Sequence, residues 1–289
     1  MKIKNILVAL DLSVLDVTLI KYCSMLAKNH ETENVYFIHN VKKYEISNLF
    51  SEQLENISIE DIIEEELDNS INKHFDADCN YELLVSDDAY TESLISYVAN
   101  KYHADLIILG NKNTYKGSGS VSGKLLRMAK CNILSIPKEA NLNPENLMIA
   151  TDFSSASLKA FNTASSINKK KEQPTLKVLN VFKIPQLFFP YIKIDKAREK
   201  VEKHVSLQFE KLLNKTKASN VETIKASAGD DSIPEKIRAI AEKDKTDILF
   251  VADKGHNNFT SLLVGSVTEE LFTQDLHIPL WVVKHYIAS

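Results

Sequence analysis

Cysteine is scarce in this sequence, and long apolar runs are absent. The three cysteines among 289 residues, Cys23, Cys79 and Cys131, show no metal-ligand spacing, and each lies in or beside an apolar run. We therefore expect reduced, packed thiols, as in a reducing compartment. No run approaches the ~20 apolar residues needed to span a bilayer, and the residues after Met1 lack the apolar core of a signal peptide. The sequence predicts a cytoplasmic protein with no membrane span.

Familiar catalytic motifs are missing as well. The eight histidines show no paired metal spacing, no G-x-G-x-x-G follows the first predicted strand, and no G-x-S-x-G elbow is present. Gly117–Leu125 resembles a P-loop, but its spacing is off by one residue and Leu125 replaces the Ser or Thr that holds Mg²⁺. The net charge of −4 argues against a broad nucleic-acid-binding face. With no metal site and no designated base, the sequence does not indicate an enzyme, and no nucleic-acid partner is expected.

What the sequence does contain is an internal repeat. Residues 5–13 return as 146–154, and four further segments return in the same order: 38–41 as 178–181, 105–110 as 247–252, 119–121 as 265–267, and 133–137 as 280–284. Five collinear matches predict a duplicated domain. The polar segment 139–145 contains a proline and lies between the copies, so we expect domains at residues 1–140 and 141–289.

Each half alternates apolar runs with amphipathic segments. The runs predict strands at 3–10, 34–41, 80–85, 105–110 and 132–137, and at 145–151, 174–182, 220–227, 247–252 and 279–284. Continuous aliphatic runs are typical of parallel strands covered on both faces. The stripes within 59–71 and 201–213 are typical of helices. The pattern predicts an α/β fold with a doubly wound parallel sheet in each half, which binds ligands at the carboxyl ends of its strands.

The strongest local motif follows the fourth strand of the second half. Ala252-Asp253-Lys254-Gly255 is followed by nine residues and then, at a predicted helix start, by Gly265-Ser266-Val267-Thr268. Gly255 would let the backbone approach a ligand closely. The N–H groups of Gly265, Ser266 and Val267 would attract a phosphate, and the hydroxyls of Ser266 and Thr268 could add donors. The alternative is that Gly265-Ser266 only caps the helix.

This arrangement resembles the nucleotide loop of the universal stress protein family, G-x2-G-x9-G-[ST]. Gly255, Gly265 and Ser266 match it with the nine-residue spacing intact, whereas Ala252 stands where the family has glycine. The resemblance covers nearly the whole chain, twice. It implies two Rossmann-like (adenine nucleotide alpha hydrolase-like) domains, each a five-stranded parallel sheet with helices on both faces. It also implies an adenine nucleotide as ligand, such as ATP, alone or with Mg²⁺.

The resemblance also suggests roles for residues around that loop. It places Asp152 near adenosine and the backbone of Val181 against the base. A carboxylate accepts hydrogen bonds from sugar hydroxyls, and Asp152 is equally placed to cap the helix that follows. Asp253 would add a negative charge near the phosphates, which Lys254 and His256 could offset.

The first half departs further from the family pattern. Gly110 is kept, Asn113 replaces the second glycine, and only five residues separate Asn113 from Gly119 instead of nine. The other counterparts kept in this half are Asp11, Val41, Gly119, Ser120 and Val121. The sequence predicts a degenerate site that binds adenosine, a smaller anion or nothing.

Two functions follow as hypotheses. The first is a stress-response sensor or adaptor that binds ATP or a related adenine nucleotide chiefly in its second half, with at most slow hydrolysis. The alternative is a nucleotide-free member of the same family that binds an apolar or lipid-like ligand, or a protein partner. Ala252, Asp253, the short first-half loop and the aromatic residues Phe188, Phe189 and Tyr191 favour the alternative.

The resemblance also bears on assembly. In single-domain relatives the last strand pairs two subunits. The strands ending at Pro137 and Lys284 are therefore expected to form a pseudo-dimer within one chain. Pairing of two chains into a homodimer stays open.

Overall fold

The computed structural model describes residues 2–41, 58–111, 119–168, 176–184, 193–218, 220–255, 264–274 and 276–285. The chain divides into two compact units, Lys2–Leu142 and Asn143–Ser289, called here the first and second domains. Within the described residues, no helix has the length and apolar character needed to cross a bilayer.

Strands and helices alternate along both domains. The first domain contains β1 (Asn5–Leu10), α1 (Asp16–His30), β2 (Asn34–Asn40), α2 (Ile59–His74), β3 (Asn80–Ser86), α3 (Thr91–Lys101), β4 (Leu106–Gly110), α4 (Gly119–Met128) and β5 (Asn132–Ile136). The second contains β6 (Leu147–Ala150), α5 (Ser155–Asn168), β7 (Leu176–Phe182), α6 (Ile194–Thr216), β8 (Val221–Ser227), α7 (Ile233–Lys243), β9 (Ile248–Ala252), α8 (Ser266–Thr273) and β10 (Leu280–Val283). Every predicted strand is present, with ends within two residues of the prediction.

All strands within a domain pair in parallel. The order is β3-β2-β1-β4-β5 in the first domain and β10-β9-β6-β7-β8 in the second. Helix α1 packs against α2, α3 against α4, and α7 against α8. The predicted α/β fold with a doubly wound parallel sheet in each half is confirmed.

The cores follow the apolar patterns except in β3 and β8, whose side chains are exposed or half-buried, and at one position of α2. The side chains of β4 and β9 are buried, and Phe250 of β9 stacks on Trp281 of β10 at 5.4 Å. On α2 the stripe Ile63, Leu67 and Ile71 is buried, but Ile62, which the periodicity also placed on that stripe, is 53% exposed. Helix geometry explains the difference, because Ile62 lies about 100° around the axis from Ile63.

Matching hydrogen bonds relate the two domains. Asp105 Oδ2 accepts from the backbone N–H groups of Lys4 (2.7 Å) and Asn5 (3.1 Å). Asp247 Oδ2 accepts in the same way from Glu145 and Asn146, each at 2.8 Å. In both domains one carboxylate therefore joins the start of the fourth strand to the start of the first.

The same comparison corrects one of the sequence matches. His39 Nδ1 lies 3.1 Å from Leu10 O, and Asn180 Nδ2 donates to Thr151 O at 2.7 Å, so His39 corresponds to Asn180. The match of 38–41 to 178–181 was therefore wrong by one residue. An Asn-Val pair occurs in both segments, but strand pairing aligns Asn40, not Val41, with Val181.

The turn after the first strand differs between domains. Leu12 and Phe153 occupy corresponding positions, both with positive φ, at 60° and 65°. In the first domain the buried Asp16 carboxylate accepts from the N–H groups of Asp11 (3.2 Å) and Leu12 (2.8 Å). In the second domain the Phe153 N–H donates to Thr151 Oγ1 instead. Burial raises the pKa of Asp16 to about 7, although the Leu12 and Ser13 N–H groups oppose that rise.

We predict that Asp16 makes stability depend on pH. Its folded pKa lies above the unfolded value of ~3.9, so its contribution is complete below about pH 4 and is lost as the pH rises through 7. Asp16→Asn keeps an acceptor oxygen and cannot ionise. In urea titrations, the free energy of unfolding of Asp16→Asn minus that of the wild type should be larger at pH 8 than at pH 4, by on the order of 2–4 kcal/mol. Parallel pH profiles would contradict the prediction.

Candidate functional site

The main crevice of the second domain lies where its strand order reverses. Strands β6 and β9 are neighbours, but the chain leaves β6 toward β7 on one side and β9 toward β10 on the other. Such a gap at the carboxyl ends of parallel strands is where doubly wound folds bind ligands. The crevice has a volume of about 610 Å³.

The structure brings most of the predicted site residues together around this crevice. Its lining includes Asp152, Val181, Ala252, Lys254, Gly255, Gly265, Ser266, Val267 and Thr268. The remaining predicted residue, His256, lies outside the described residues, as do Phe188, Phe189 and Tyr191.

One end of the crevice is apolar. Val181 at the end of β7 lines it together with Ile233 and Ile237 of α7. Leu179 O accepts from Thr151 N–H on the β6 side, and Phe182 O accepts from Ala228 N–H on the β8 side. Because backbone groups alternate along a strand, those of Val181 face the β6 side, beyond the last residue of β6.

Sequence reasoning missed the two isoleucines, although a signal was present. Ser232 and Glu235 form a capping box, with Pro234 in the first turn, and this fixes the start of α7. The S-x-x-E pattern marks such a start. Positions 233 and 237, four residues apart, then share one face of the helix.

The middle of the crevice is formed by a carboxylate and a glycine. Asp152 Oδ1 accepts from Ser154 N–H at 3.0 Å, while a Cβ on residue 255 would lie only 2.9 Å from Asp152 Oδ2. Glycine at 255 therefore leaves room for the carboxylate. The cap of α5 is Ser154, whose Oγ accepts from Ser157 N–H at 3.1 Å, so Asp152 shapes the preceding turn and does not cap the helix.

The other end is the start of α8. The N–H groups of Ser266, Val267 and Thr268 belong to the first helical turn, which offers them no acceptor. Two groups that the sequence predicted as donors to a phosphate donate to backbone carbonyls of the protein instead. Gly265 N–H donates to Asp253 O at 2.8 Å, and the Thr268 hydroxyl donates to Ala252 O at 2.6 Å.

Charge at this end is mixed. Lys254 lines the crevice, and so does Glu269 of the first turn of α8, which sequence reasoning did not single out. Asp253, expected to place a negative charge near the ligand, is not part of the lining. Its buried carboxylate turns toward the end of β10, where Oδ1 accepts from His285 N–H at 2.8 Å.

The corresponding region of the first domain is built differently at the base end. Asn40, the counterpart of Val181, donates through Nδ2 to Asp88 O (2.9 Å) and Thr91 Oγ1 (2.7 Å). This side chain bridges β2 to the start of α3. Val41, which sequence reasoning proposed for this place, donates its N–H to Ser86 O on the β3 side, so its backbone faces away from the first strand.

The remaining first-domain candidates also have structural explanations. A Cβ on Gly110 would overlap Leu15 Cδ2, so this glycine accommodates a buried leucine. At the corresponding places the second domain has Ala252 and Ala156. Asp11 is exposed beside the turn held by Asp16, and Gly119, Ser120 and Val121 form the first turn of α4. Asn113 lies outside the described residues.

No group of histidine, cysteine, aspartate and glutamate side chains suited to a metal ion occurs in the part of the chain that the structure describes.

Comparison with known proteins gives a consistent result. The model of a family described as the universal stress protein family matches residues 2–137 and 144–284. A universal stress protein from Archaeoglobus fulgidus is 17% identical over 98% of this chain and 97% of its own, with a TM-score of 0.64. A functionally unknown protein from Pseudomonas aeruginosa is 15% identical over 98% and 92%, with a TM-score of 0.67. No curated protein matches the chain. At these identities the structural likeness concerns the fold.

We predict that Gly110 and Leu15 are energetically coupled. Gly110→Ala should cost about 1–3 kcal/mol of unfolding free energy because the new methyl group overpacks Leu15. Leu15→Ala should cost about 2–5 kcal/mol through a cavity. The double variant reproduces the Ala252–Ala156 pair of the second domain. In urea unfolding, the double variant should lose less free energy of unfolding than the two single variants lose together, by at least about 1 kcal/mol. Additive losses would show that the two positions do not interact.

Proposed function

The chain belongs to the universal stress protein family, and from that premise we propose that it binds ATP or a related adenine nucleotide in the crevice of its second domain. The observation that supports this most directly is the sequence of environments along one cavity. Across the strand order β7, β6 and β9, the crevice presents aliphatic side chains, a carboxylate facing a glycine, and a helix start, and these environments suit a base, a sugar and a phosphate.

The apolar end suits a purine ring. Val181, Ile233 and Ile237 offer aliphatic surface to a flat aromatic ligand, and burial of such surface is favourable by about 25 cal/mol per Å². The backbone groups of Val181 face the same space and would pair with the edge of the base. Ligand pockets commonly combine apolar walls with a few oriented polar groups in this way.

Asp152 and the start of α8 suit the ribose and the phosphates. Asp152 Oδ2, beside Gly255, would accept hydrogen bonds from sugar hydroxyls. The N–H groups of Ser266, Val267 and Thr268, at the positive end of the α8 dipole, would bind phosphate oxygens. Lys254 adds a positive charge at that end, which Glu269 offsets in part.

We further propose that the first domain does not bind an adenine nucleotide. The Asn40 bridge to Thr91 lies at the place that corresponds to Val181, where we propose that the second domain holds the base. Asp16 stands where the second domain has Ser157, so a second carboxylate besides Asp11 lies near the place of the sugar and phosphates. The first feature disfavours the base, and the second disfavours an anion once Asp16 ionises, in addition to the shortened loop.

A single binding site and no designated catalytic base favour a role as a sensor or adaptor in the stress response over a role as an enzyme. A bound nucleotide would alter the crevice edge of the second domain, and a protein partner would recognise that change. We propose that this takes place in the cytoplasm.

A second candidate is an apolar or lipid-like ligand, which the surface of Val181, Ile233 and Ile237 favours. Native mass spectrometry of the purified protein would separate these two, because a co-purifying nucleotide has a defined mass.

We predict specific binding of adenine nucleotides by calorimetry with ATP, AMP and cyclic AMP. Gly265→Glu should weaken ATP binding on the order of tenfold or more, because it adds a negative charge where the phosphates meet the helix start. The backbone at 265 has φ −66° and ψ 138°, which any residue adopts, so the variant should fold. The matched change in the first domain, Gly119→Glu, should leave ATP binding unchanged. No binding of any of the three ligands to the wild type would refute the proposal.

A further inference from the structure

Asp253 follows the last residue of β9, and the buried side chain uses both of its oxygens away from the crevice. Oδ1 accepts from His285 N–H at 2.8 Å, and Oδ2 lies 3.8 Å from Lys284 Nζ, with both side chains 7% exposed. Both partners lie directly beyond β10. The carboxylate therefore joins the end of β9 to the end of β10.

The backbone of Asp253 extends this connection toward the crevice. Its N–H donates to Val283 O at 3.0 Å, and its carbonyl accepts from Gly265 N–H at 2.8 Å. Gly265 is the residue from which α8 begins. Together with the bond from the Thr268 hydroxyl to Ala252 O, the position of Asp253 therefore fixes where the first turn of α8 lies relative to the sheet.

The two domains differ at this point in a paired way. Asn111 occupies the place of Asp253 and keeps the strand bond, with its N–H donating to Ile136 O at 2.8 Å. By the same correspondence, Pro137 occupies the place of Lys284. The buried acid and its lysine thus occur together in the domain whose glycine loop has the full spacing, and are replaced together in the domain with the shortened loop.

Fold stability alone does not explain such a pair. Two charges removed from water lose several kcal/mol of hydration each, and their attraction repays this only with good geometry. At 3.8 Å the ion pair is longer than a charge-assisted hydrogen bond of about 2.7–2.9 Å. Fixing the geometry of neighbouring groups is a known use of costly buried charges.

We propose that Asp253 is a positioning residue for the phosphate end of the second-domain crevice. Its carboxylate, fixed by His285 N–H and Lys284, holds the Asp253 carbonyl against Gly265, so that the N–H groups of Ser266, Val267 and Thr268 point at the phosphates. The inference rests on the proposed function. It adds that recognition of phosphate depends on a residue that does not touch the ligand, whereas recognition of adenosine does not.

The test is calorimetry with adenosine, AMP and ATP on the wild type, Asp253→Ala and Asp253→Asn. Asp253→Ala removes the acceptor for His285 N–H and should weaken AMP and ATP on the order of tenfold, as expected when a hydrogen bond to an anion is misplaced. The affinity for adenosine should differ from that of the wild type by less than about twofold, a smaller change in binding free energy than the loss of one such hydrogen bond. Asp253→Asn keeps the acceptor oxygen and should recover most of the loss.

Two further measurements exclude a general structural effect. Asp253→Ala/Lys284→Met removes the lysine as well as the acid, and should bind ATP as weakly as Asp253→Ala. Amide hydrogen exchange without ligand, followed by NMR, should be faster at Gly265 in Asp253→Ala and unchanged in α7.

The outcomes separate this inference from the proposed function. Equal losses for all three ligands, unchanged ATP affinity, or recovery of ATP binding in the double variant would each overturn the positioning role while leaving nucleotide binding intact. A wild-type protein that binds none of the three ligands would overturn the proposed function, and this inference with it.

Discussion

Two neighbouring parallel strands, β6 and β9, are followed along the chain by strands on opposite sides, β7 and β10. A gap of the kind in which doubly wound folds bind ligands lies between their carboxyl ends. Parallel pairing then brings the residues after β6, β7 and β9 to the same edge of the sheet, although they are far apart in sequence. Asp152, Val181 and Gly255 meet for this reason. The chemistry of the crevice is thus decided by a few residues at strand ends together with the first turns of α7 and α8, while the strands determine where those residues stand.

The two domains show which features such a fold requires and which it leaves variable. Asp105 and Asp247 make the same pair of hydrogen bonds in both copies, at the edge of the sheet away from the crevice. At the crevice edge the copies diverge, with Asn40 in place of Val181 and Asp16 in place of Ser157. Divergence at one edge only is expected if the fold was maintained in both copies while the ligand site was maintained in one.

Much of the fold was readable from the sequence, because short aliphatic runs such as 106–109 and 248–251, alternating with amphipathic segments, are typical of strands in a covered parallel sheet. Nearly half of the residues that line the crevice were readable too, since glycine spacing and strand ends are local features. Ile233, Ile237 and the inward turn of Asp253 were not predicted, because they depend on how α7 and β10 pack. The Asn-Val pair shows a different limit, since identical letters suggested an alignment that hydrogen bonding shifts by one residue.

The packing of Leu15 against Gly110 has a consequence for how the two copies have been inherited. Ala156 and Ala252 solve the same spatial problem with different residues, and in each copy the two positions lie about a hundred residues apart in sequence. Recombination that moved only one short segment between the halves would have one of two results. It would either pack a leucine against an alanine, or place two small residues together and leave a cavity. Such exchanges would destabilise the domain that receives the segment, so this packing opposes the exchange of short segments between the halves.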